Sequence, residues 1–156
     1  MTRYGKHGSS KGRARSVARK LAMQALYQWQ ISGQEPADIH DQFVQIEEHA
    51  KADAAYFREL LIDLSLQQSK LDALIARHID RSLEHLDPVE HAVLYIGLYE
   101  LCNRPDVPFR VVINEAVQIV KRFGAEDGHK YVNAVLDSAS RELRVEERDA
   151  ARGASS

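Results

Sequence analysis

Apolar residues recur with the period of an α-helix along most of the chain. In the first such stretch they fall three or four positions apart, which places them on one helical face. The members of this stripe are Ala18, Leu21, Ala22, Ala25, Leu26 and Trp29. The stripe ends at Ser32–Gly33, and Tyr27 lies off it. The pattern predicts a first helix with a core-facing side and leaves Tyr27 for the surface.

Two further helical patterns follow. Pro36 suits the first turn of a shorter helix with Ile39, Phe43 and Ile46 as its apolar stripe. A long apolar pattern then runs from Ala54 to Ile79. It is interrupted at Gln67–Lys70, so it predicts either one long helix or two helices joined by a kink. Residues 82–86 allow a short helical turn at most.

The sequence Asp87-Pro88-Val89-Glu90 is a strong helix start. Asp87 is at the N-cap, Pro88 at the first helical position and Glu90 at the position of a capping box. The residues that follow are apolar almost all round, which is typical of a buried central helix.

The last two predicted helices meet at a glycine. A near-ideal apolar stripe runs from Phe109 to Phe123, and Gly124 follows where a left-handed residue is expected. Asp127 then suits the N-cap of a final helix that extends to about Leu143. The core-facing side of that helix would hold Tyr131, Val132, Val135 and Leu136.

No stretch alternates in the manner of a strand. The predicted fold class is therefore all-α, a single domain of about six or seven helices. Glycine and serine in residues 1–12 indicate a disordered basic tail, and residues 145–156 indicate a disordered C-terminal tail. The predicted folded domain spans residues 13–144.

The net charge of −2 conceals a basic N-terminus on an acidic body. Residues 1–20 hold seven Lys and Arg and no acidic residue, whereas the rest of the chain has a net charge of −9. A basic arm of this kind is typical of proteins that bind nucleic acid. A tail that only improves solubility is the alternative.

Motifs for catalysis and cofactor binding are missing. The sequence has no HExxH, CxxC, GxSxG, phosphate-binding loop or GxGxxG pattern, and Cys102 is the single cysteine. We therefore expect no catalytic residue, no metal and no cofactor. No apolar run approaches the roughly 18 residues of a membrane span. The lone cysteine fits a cytoplasmic protein.

Binding remains as the expected activity. Aromatic rings beside cations can hold single-stranded RNA by stacking on its bases. Tyr131 follows Lys130 at the start of the last helix and is one such pair. The alternative is that Tyr131 is a partly buried residue of the first turn.

Three segments of the chain stand out together: AMQALYQWQISG, DPVEHAVLYIGLYEL and DVPFRVVINEAVQIVKRFGAEDGHKYVNAVLD. They resemble the NusB family of bacterial transcription antitermination factors. The similarity runs in order from about Arg15 to Leu143. It implies two packed helical subdomains and a cytoplasmic protein. The implied partners are boxA RNA of nascent ribosomal and antiterminated transcripts, the ribosomal protein NusE, and the RNA polymerase antitermination complex with other Nus factors.

The resemblance also implies which residues bind. The RNA-binding residues that it assigns are Arg13, Arg15, Arg19, Lys20, Asp127, Lys130 and Tyr131. The expected NusE-binding residues are Tyr27, Glu84 and Glu90. Relatives with an unbroken arginine run differ from this chain, which has Ser16, Val17 and Ala18 between its two arginines.

Three other functions stay open at this point. NusB-like domains also occur in ribosomal RNA cytosine methyltransferases, but that function requires a downstream Rossmann-like domain, and this chain ends at Ser156 without one. The chain could instead be a helical adaptor that binds only proteins, its basic arm being incidental. A small helical enzyme would need an acid–base constellation that the sequence does not display.

Overall fold

A computed structural model describes residues 10–155 of the chain. Within this range the protein is all-α, as predicted, and has eight α-helices and no strand. The helices are α1 (Ser10–Ser32), α2 (Pro36–Phe43), α3 (Ala54–Arg58), α4 (Gln68–Ala76), α5 (Pro88–Asn103), α6 (Phe109–Phe123), α7 (Gly128–Leu143) and α8 (Val145–Ser155). The chain divides into two compact units, which meet in sequence between Gln68 and Ser69.

The N-terminal unit is built around the apolar stripe of α1. Its residues from Ala18 to Leu26 are fully buried, whereas Trp29 is only half-buried. Helices α2 and α3 pack against α1, and Phe57 of α3 is fully buried. Helix α2 ends at Phe43, one turn short of the predicted stripe, so Ile46 lies outside it and is 42% exposed.

The long pattern after Ala54 forms two helices, so the second of its two predicted alternatives is confirmed. Asp53 caps α3 by accepting a hydrogen bond from the backbone N–H of Tyr56 at 3.0 Å. Helix α3 continues into a π-helical turn over Glu59–Asp63. The helical hydrogen bonding breaks at Leu66 and Gln67, and α4 begins at Gln68.

Helix α5 is the centre of the C-terminal unit. The carboxylate of Asp87 accepts from the N–H groups of Val89 and Glu90 at 2.8 and 3.3 Å, which confirms the predicted cap. Helices α6 and α7 pack on α5 and on each other. At Gly97 a Cβ would lie 2.7 Å from Cδ2 of Leu136, so a larger residue would force this buried side chain of α7 to shift.

The expected disordered C-terminal tail is wrong for residues 145–155, because they form α8. Arg144, which is 7% exposed, donates hydrogen bonds to the backbone carbonyls of Glu100, Leu101, Arg104 and Val107 at 3.0–3.1 Å. These carbonyls lie at and just beyond the C-terminus of α5, where the backbone carbonyls have no N–H partner within the helix.

Helix α8 also provides a hydrogen-bond acceptor for the first backbone N–H group of α6. The carboxylate of Glu147 accepts from the backbone N–H of Phe109 at 2.9 Å and from Arg144 at 2.5 Å. The sequence pattern could not show this, because charged residues near a chain end look the same whether they are solvated or paired across the fold.

The predicted N-terminal tail lies mostly outside the described residues. Residues 1–9 are not described, and Ser10–Gly12 already belong to α1. Among residues 10–155, no helix combines the length and the apolar run that crossing a membrane requires.

Candidate nucleic-acid interface

The turn between α6 and α7 has a different backbone from the one predicted. Gly124 is extended, with φ −92° and ψ −178°, so the expected left-handed glycine is wrong. Glycine is needed here for space instead, since a Cβ would lie 2.9 Å from the carbonyl oxygen of Val120 and 2.7 Å from its Cγ1.

The left-handed residue of this turn is Asp127, with φ +67°. Asp and Asn tolerate this region better than other side chains. The expected side-chain cap is wrong, because the Asp127 carboxylate makes no hydrogen bond to the first turn of α7. An N-cap residue normally has extended backbone, which aims its oxygen at those N–H groups. Here the carboxylate lies 3.4 Å from Nζ of Lys130, and both side chains are about 70% exposed (69% and 73%).

Tyr131 is half-buried and belongs to a cluster that the sequence analysis missed. The guanidinium carbon of Arg81 lies 4.2 Å from the centre of the Tyr131 ring. Asp80 accepts from Nε of Arg81 at 2.9 Å and from the Tyr131 hydroxyl at 3.3 Å. The Tyr131 ring is thus held by a cation–π contact and a hydrogen bond.

The charges of this cluster shift one another's protonation. The hydrogen bond from Arg81 lowers the pKa of Asp80, and the same bond raises the pKa of Arg81. Burial raises the pKa of the Tyr131 hydroxyl, against the opposing charge of Arg81. Asp80, Arg81 and Tyr131 are therefore an anion, a cation and a neutral phenol at neutral pH. The distance of fifty residues along the chain hid this pairing from the sequence analysis.

Glu90 lies beneath the start of α7. It is 7% exposed, and a Cβ on Gly128 would lie 2.5 Å from its Oε2. Burial, reinforced by the charge of Asp87, raises the pKa of Glu90, and Arg81 opposes the rise. The expected role of Glu90 in binding NusE conflicts with this placement, because a partner protein has little of this side chain to contact. Glu84, in the 3₁₀ turn Leu83–His85, is exposed, and Tyr27 is 42% exposed.

A groove of about 600 Å³ runs between α6, α7 and the start of α8. We call it the α6–α7 groove. Its lining residues are Phe109, Arg110, Ile113, Asn114, Val117, His129, Lys130, Asn133, Asp137 and Arg148. Lys130 therefore borders both the turn and the groove, whereas its neighbour Tyr131 packs with Arg81.

The cations that were predicted on α1 have different surroundings. Arg13 is exposed. Arg15 stacks 4.3 Å from the ring centre of Tyr56 and lies 3.9 Å from the carboxylate of Asp53. Arg19 is 4% exposed and lies 5.5 Å from the same ring centre. These contacts hold Arg15 and Arg19 within the N-terminal unit.

Lys20 is likewise engaged, because its ammonium group pairs with Glu48. The sequence-predicted RNA residues thus fall into two groups, one on α1 in the N-terminal unit and one at the start of α7 in the C-terminal unit. Within the second group, Asp127 and Lys130 are in contact. Over the described part of the chain, no group of three or more His, Cys, Asp or Glu side chains could hold a metal ion.

Comparison with known proteins gives one consistent match. The model of the NusB family matches residues 16–141. The chain is 50% identical over 123 residues to the transcription antitermination protein NusB of Shewanella pealeana, which covers 79% of this chain and 91% of the relative. It is also 50% identical over 131 residues to the Yersinia pestis protein of the same name, covering 84% of this chain and 95% of the relative.

Solved structures agree with the fold. NusB of T. maritima superposes with a TM-score of 0.72 at 28% identity, over 88% of this chain and 99% of that one. A NusB crystallised with NusE and double-stranded RNA superposes with a TM-score of 0.71 at 24% identity, over 83% of this chain and 98% of that one. The family model and the close relatives each span most of the sequence, and the chain belongs to the NusB family.

Proposed function

We propose that this protein is a transcription antitermination factor. It binds boxA RNA of nascent ribosomal and antiterminated transcripts together with the ribosomal protein NusE, within an RNA polymerase complex that includes other Nus factors. RNA polymerase then reads through terminators. The role is binding rather than catalysis, and it belongs in the cytoplasm, where nascent transcripts are made.

The cluster at the start of α7 carries this proposal. Lys130 presents an exposed ammonium group, and its sequence neighbour Tyr131 has a ring that Arg81 and Asp80 hold in place. A fixed ring next to cations suits a stacked base whose phosphates are neutralised nearby. The Arg81 guanidinium at the ring is a further cation close to such a base.

The N-terminal unit contributes through the exposed side of α1. Arg13 is the exposed cation there, whereas Arg19 supports the fold from its place against Tyr56. Arg15 and Lys20 already pair with Asp53 and Glu48, so a phosphate that contacts them would share their charge with those carboxylates. Among the residues proposed to bind NusE, Tyr27 of the N-terminal unit and Glu84 of the C-terminal unit are each exposed.

A titration of labelled single-stranded boxA RNA, with and without NusE, tests the proposal at two salt concentrations. If about four phosphates are neutralised, the logarithm of the affinity should fall with the logarithm of salt concentration at a slope of roughly −3. NusE should raise the affinity for the boxA sequence, because it adds contacts to the RNA, whereas phosphate contacts alone carry no sequence information. An affinity that is independent of salt would contradict the electrostatic part of the proposal.

A protein-only adaptor is the second candidate. The observation that favours it is the engagement of Arg15, Arg19 and Lys20 within the N-terminal unit. Removal of residues 1–9 combined with Arg13→Gln separates the two functions and leaves the buried positions of α1 intact. RNA affinity should fall if the basic N-terminus binds RNA. Unchanged RNA affinity together with normal NusE binding would support the adaptor.

A further inference from the structure

The α6–α7 groove combines features that a folded protein does not need for its own packing. Arg110, Asn114, Lys130 and Asn133 line it with exposed polar side chains, which project from two neighbouring helices. Its volume of about 600 Å³ is in the range of sites that hold small organic ligands.

The charge balance of the groove is positive. Asp137 is the carboxylate that lines it, and Arg148 and Arg141 neutralise that carboxylate at 3.0 and 2.7 Å. Arg110 has no carboxylate partner among residues 10–155; its guanidinium carbon lies 5.5 Å from the ring centre of Phe109. Within the described part of the chain, the ammonium group of Lys130 pairs only with the exposed carboxylate of Asp127. An anion entering the groove would therefore meet two available cations.

The groove also offers groups that suit a nucleobase. Asn114 and Asn133 each have an amide that can donate and accept, and such amides pair with base edges. Apolar side chains of Phe109, Ile113 and Val117 form the rest of the wall. A site for a simple anion would not need two side-chain amides together with an apolar surface.

We propose that the α6–α7 groove binds a nucleotide of single-stranded RNA that continues from the turn at Lys130. This inference rests on the proposed function and adds a second subsite to it. Arg110 and Lys130 neutralise the phosphates, and Asn114 and Asn133 contact the base. The continuity comes from Lys130, which borders the turn on one side and lines the groove on the other.

The test measures anisotropy of a labelled boxA RNA and of the same RNA extended by a few nucleotides at each end. Arg110→Gln and Asn133→Ala alter exposed side chains, so thermal unfolding should show the fold unchanged. Each should weaken binding of the extended RNA about three- to tenfold, the range expected for one lost polar contact. Arg110→Gln should also make the salt slope less steep by about 0.7. Arg77→Gln removes an exposed cation of the same unit outside the groove, and it should leave binding unchanged.

The possible outcomes separate the two proposals. If the wild-type protein binds neither RNA, the proposed function fails. If the wild-type protein binds the extended RNA, and Arg110→Gln and Asn133→Ala bind it as tightly as the wild type, only the groove proposal is overturned. A glutamate-rich peptide serves as a second probe. If Arg110→Gln abolishes peptide binding and leaves RNA affinity unchanged, the groove belongs to an acidic protein partner, and the RNA subsite is again overturned.

Discussion

Replacement of Asp127 by Asn isolates one charge at the proposed RNA surface. The residue has φ +67°, a conformation that Asn adopts as readily as Asp, so the backbone of the turn should not change. The carboxylate makes no helix-capping bond, and its ion pair with Lys130 is about 70% exposed on each side (69% and 73%). Exposed pairs contribute at most about 1 kcal/mol. We expect Asp127→Asn to leave the free energy of unfolding nearly unchanged.

The effect on RNA follows from the same geometry. A phosphate in contact with Lys130 would lie about 6–7 Å from the Asp127 carboxylate, and two unit charges at that distance in water repel by about 0.6 kcal/mol. Removing the repulsion should raise RNA affinity about threefold at low salt. At physiological ionic strength the Debye length of about 8 Å reduces the gain to less than twofold.

A second variant separates charge from backbone. Asp127→Ala removes the same charge, but alanine has no polar side chain that could make local hydrogen bonds in the left-handed conformation. The substitution should therefore cost about 1 kcal/mol of stability. Both variants should therefore bind RNA more tightly, while only the Ala variant is less stable. Fluorescence anisotropy and urea unfolding give the two quantities. If Asp127→Asn binds RNA more weakly at equal stability, the carboxylate contacts the RNA directly, and the repulsion argument is refuted.

Three further predictions concern the cluster, the buried carboxylate and α8. Tyr131→Ala should weaken the free energy of RNA binding by about 1–3 kcal/mol in a titration, because the stacking ring is lost. Tyr131→Phe keeps the ring and should bind RNA normally. An equal loss in both variants would show that the hydroxyl, and not the ring, is needed. The pKa of Glu90 is raised in the folded protein above its ordinary value of 4.5, so the free energy of unfolding should fall as the pH rises above 4.5. Glu90→Gln should remove this fall, which unfolding curves measured at several pH values would show. A fall that persists in the variant would assign it to another group. Arg144→Met should cost about 2–4 kcal/mol by denaturant unfolding, because the Leu101 and Val107 carbonyls lose a charged donor, and a cost below 1 kcal/mol would mean that water replaces it.

Most of the helices and the Asp87 cap of α5 could be predicted from sequence because their signals are local. The stripe of α1, the Asp87–Pro88 start of α5 and the apolar length of α5 all follow from neighbouring residues. The predicted backbone conformation of the turn before α7 is wrong for a related reason. Gly124 and Asp127 were assigned by residue type, but the close approach of Val120 requires a glycine with extended backbone, and the left-handed position falls on Asp127.

The site could be predicted only in part, because its members come from distant parts of the chain. Lys130 and Tyr131 were visible as a cation beside a ring, but Arg81 and Asp80 reach that ring only through the fold. The family resemblance assigns Arg19 to RNA, but this side chain is buried against Tyr56, which belongs to a helix far along the sequence. Charge alone cannot distinguish a cation that serves the fold from one that serves a ligand.

The position of Arg144 has a consequence for how the protein can be shortened. The similarity to the family model ends at residue 141, which invites a truncation there. Such a product would lack the last two residues of α7 and all of α8. It would also lack the Arg144 guanidinium that binds the carbonyls at the end of α5 and the Glu147 carboxylate that accepts from the N–H of Phe109 at the start of α6. Protease trimming or cloning at that boundary should therefore yield a less stable polypeptide than one that extends to Glu147.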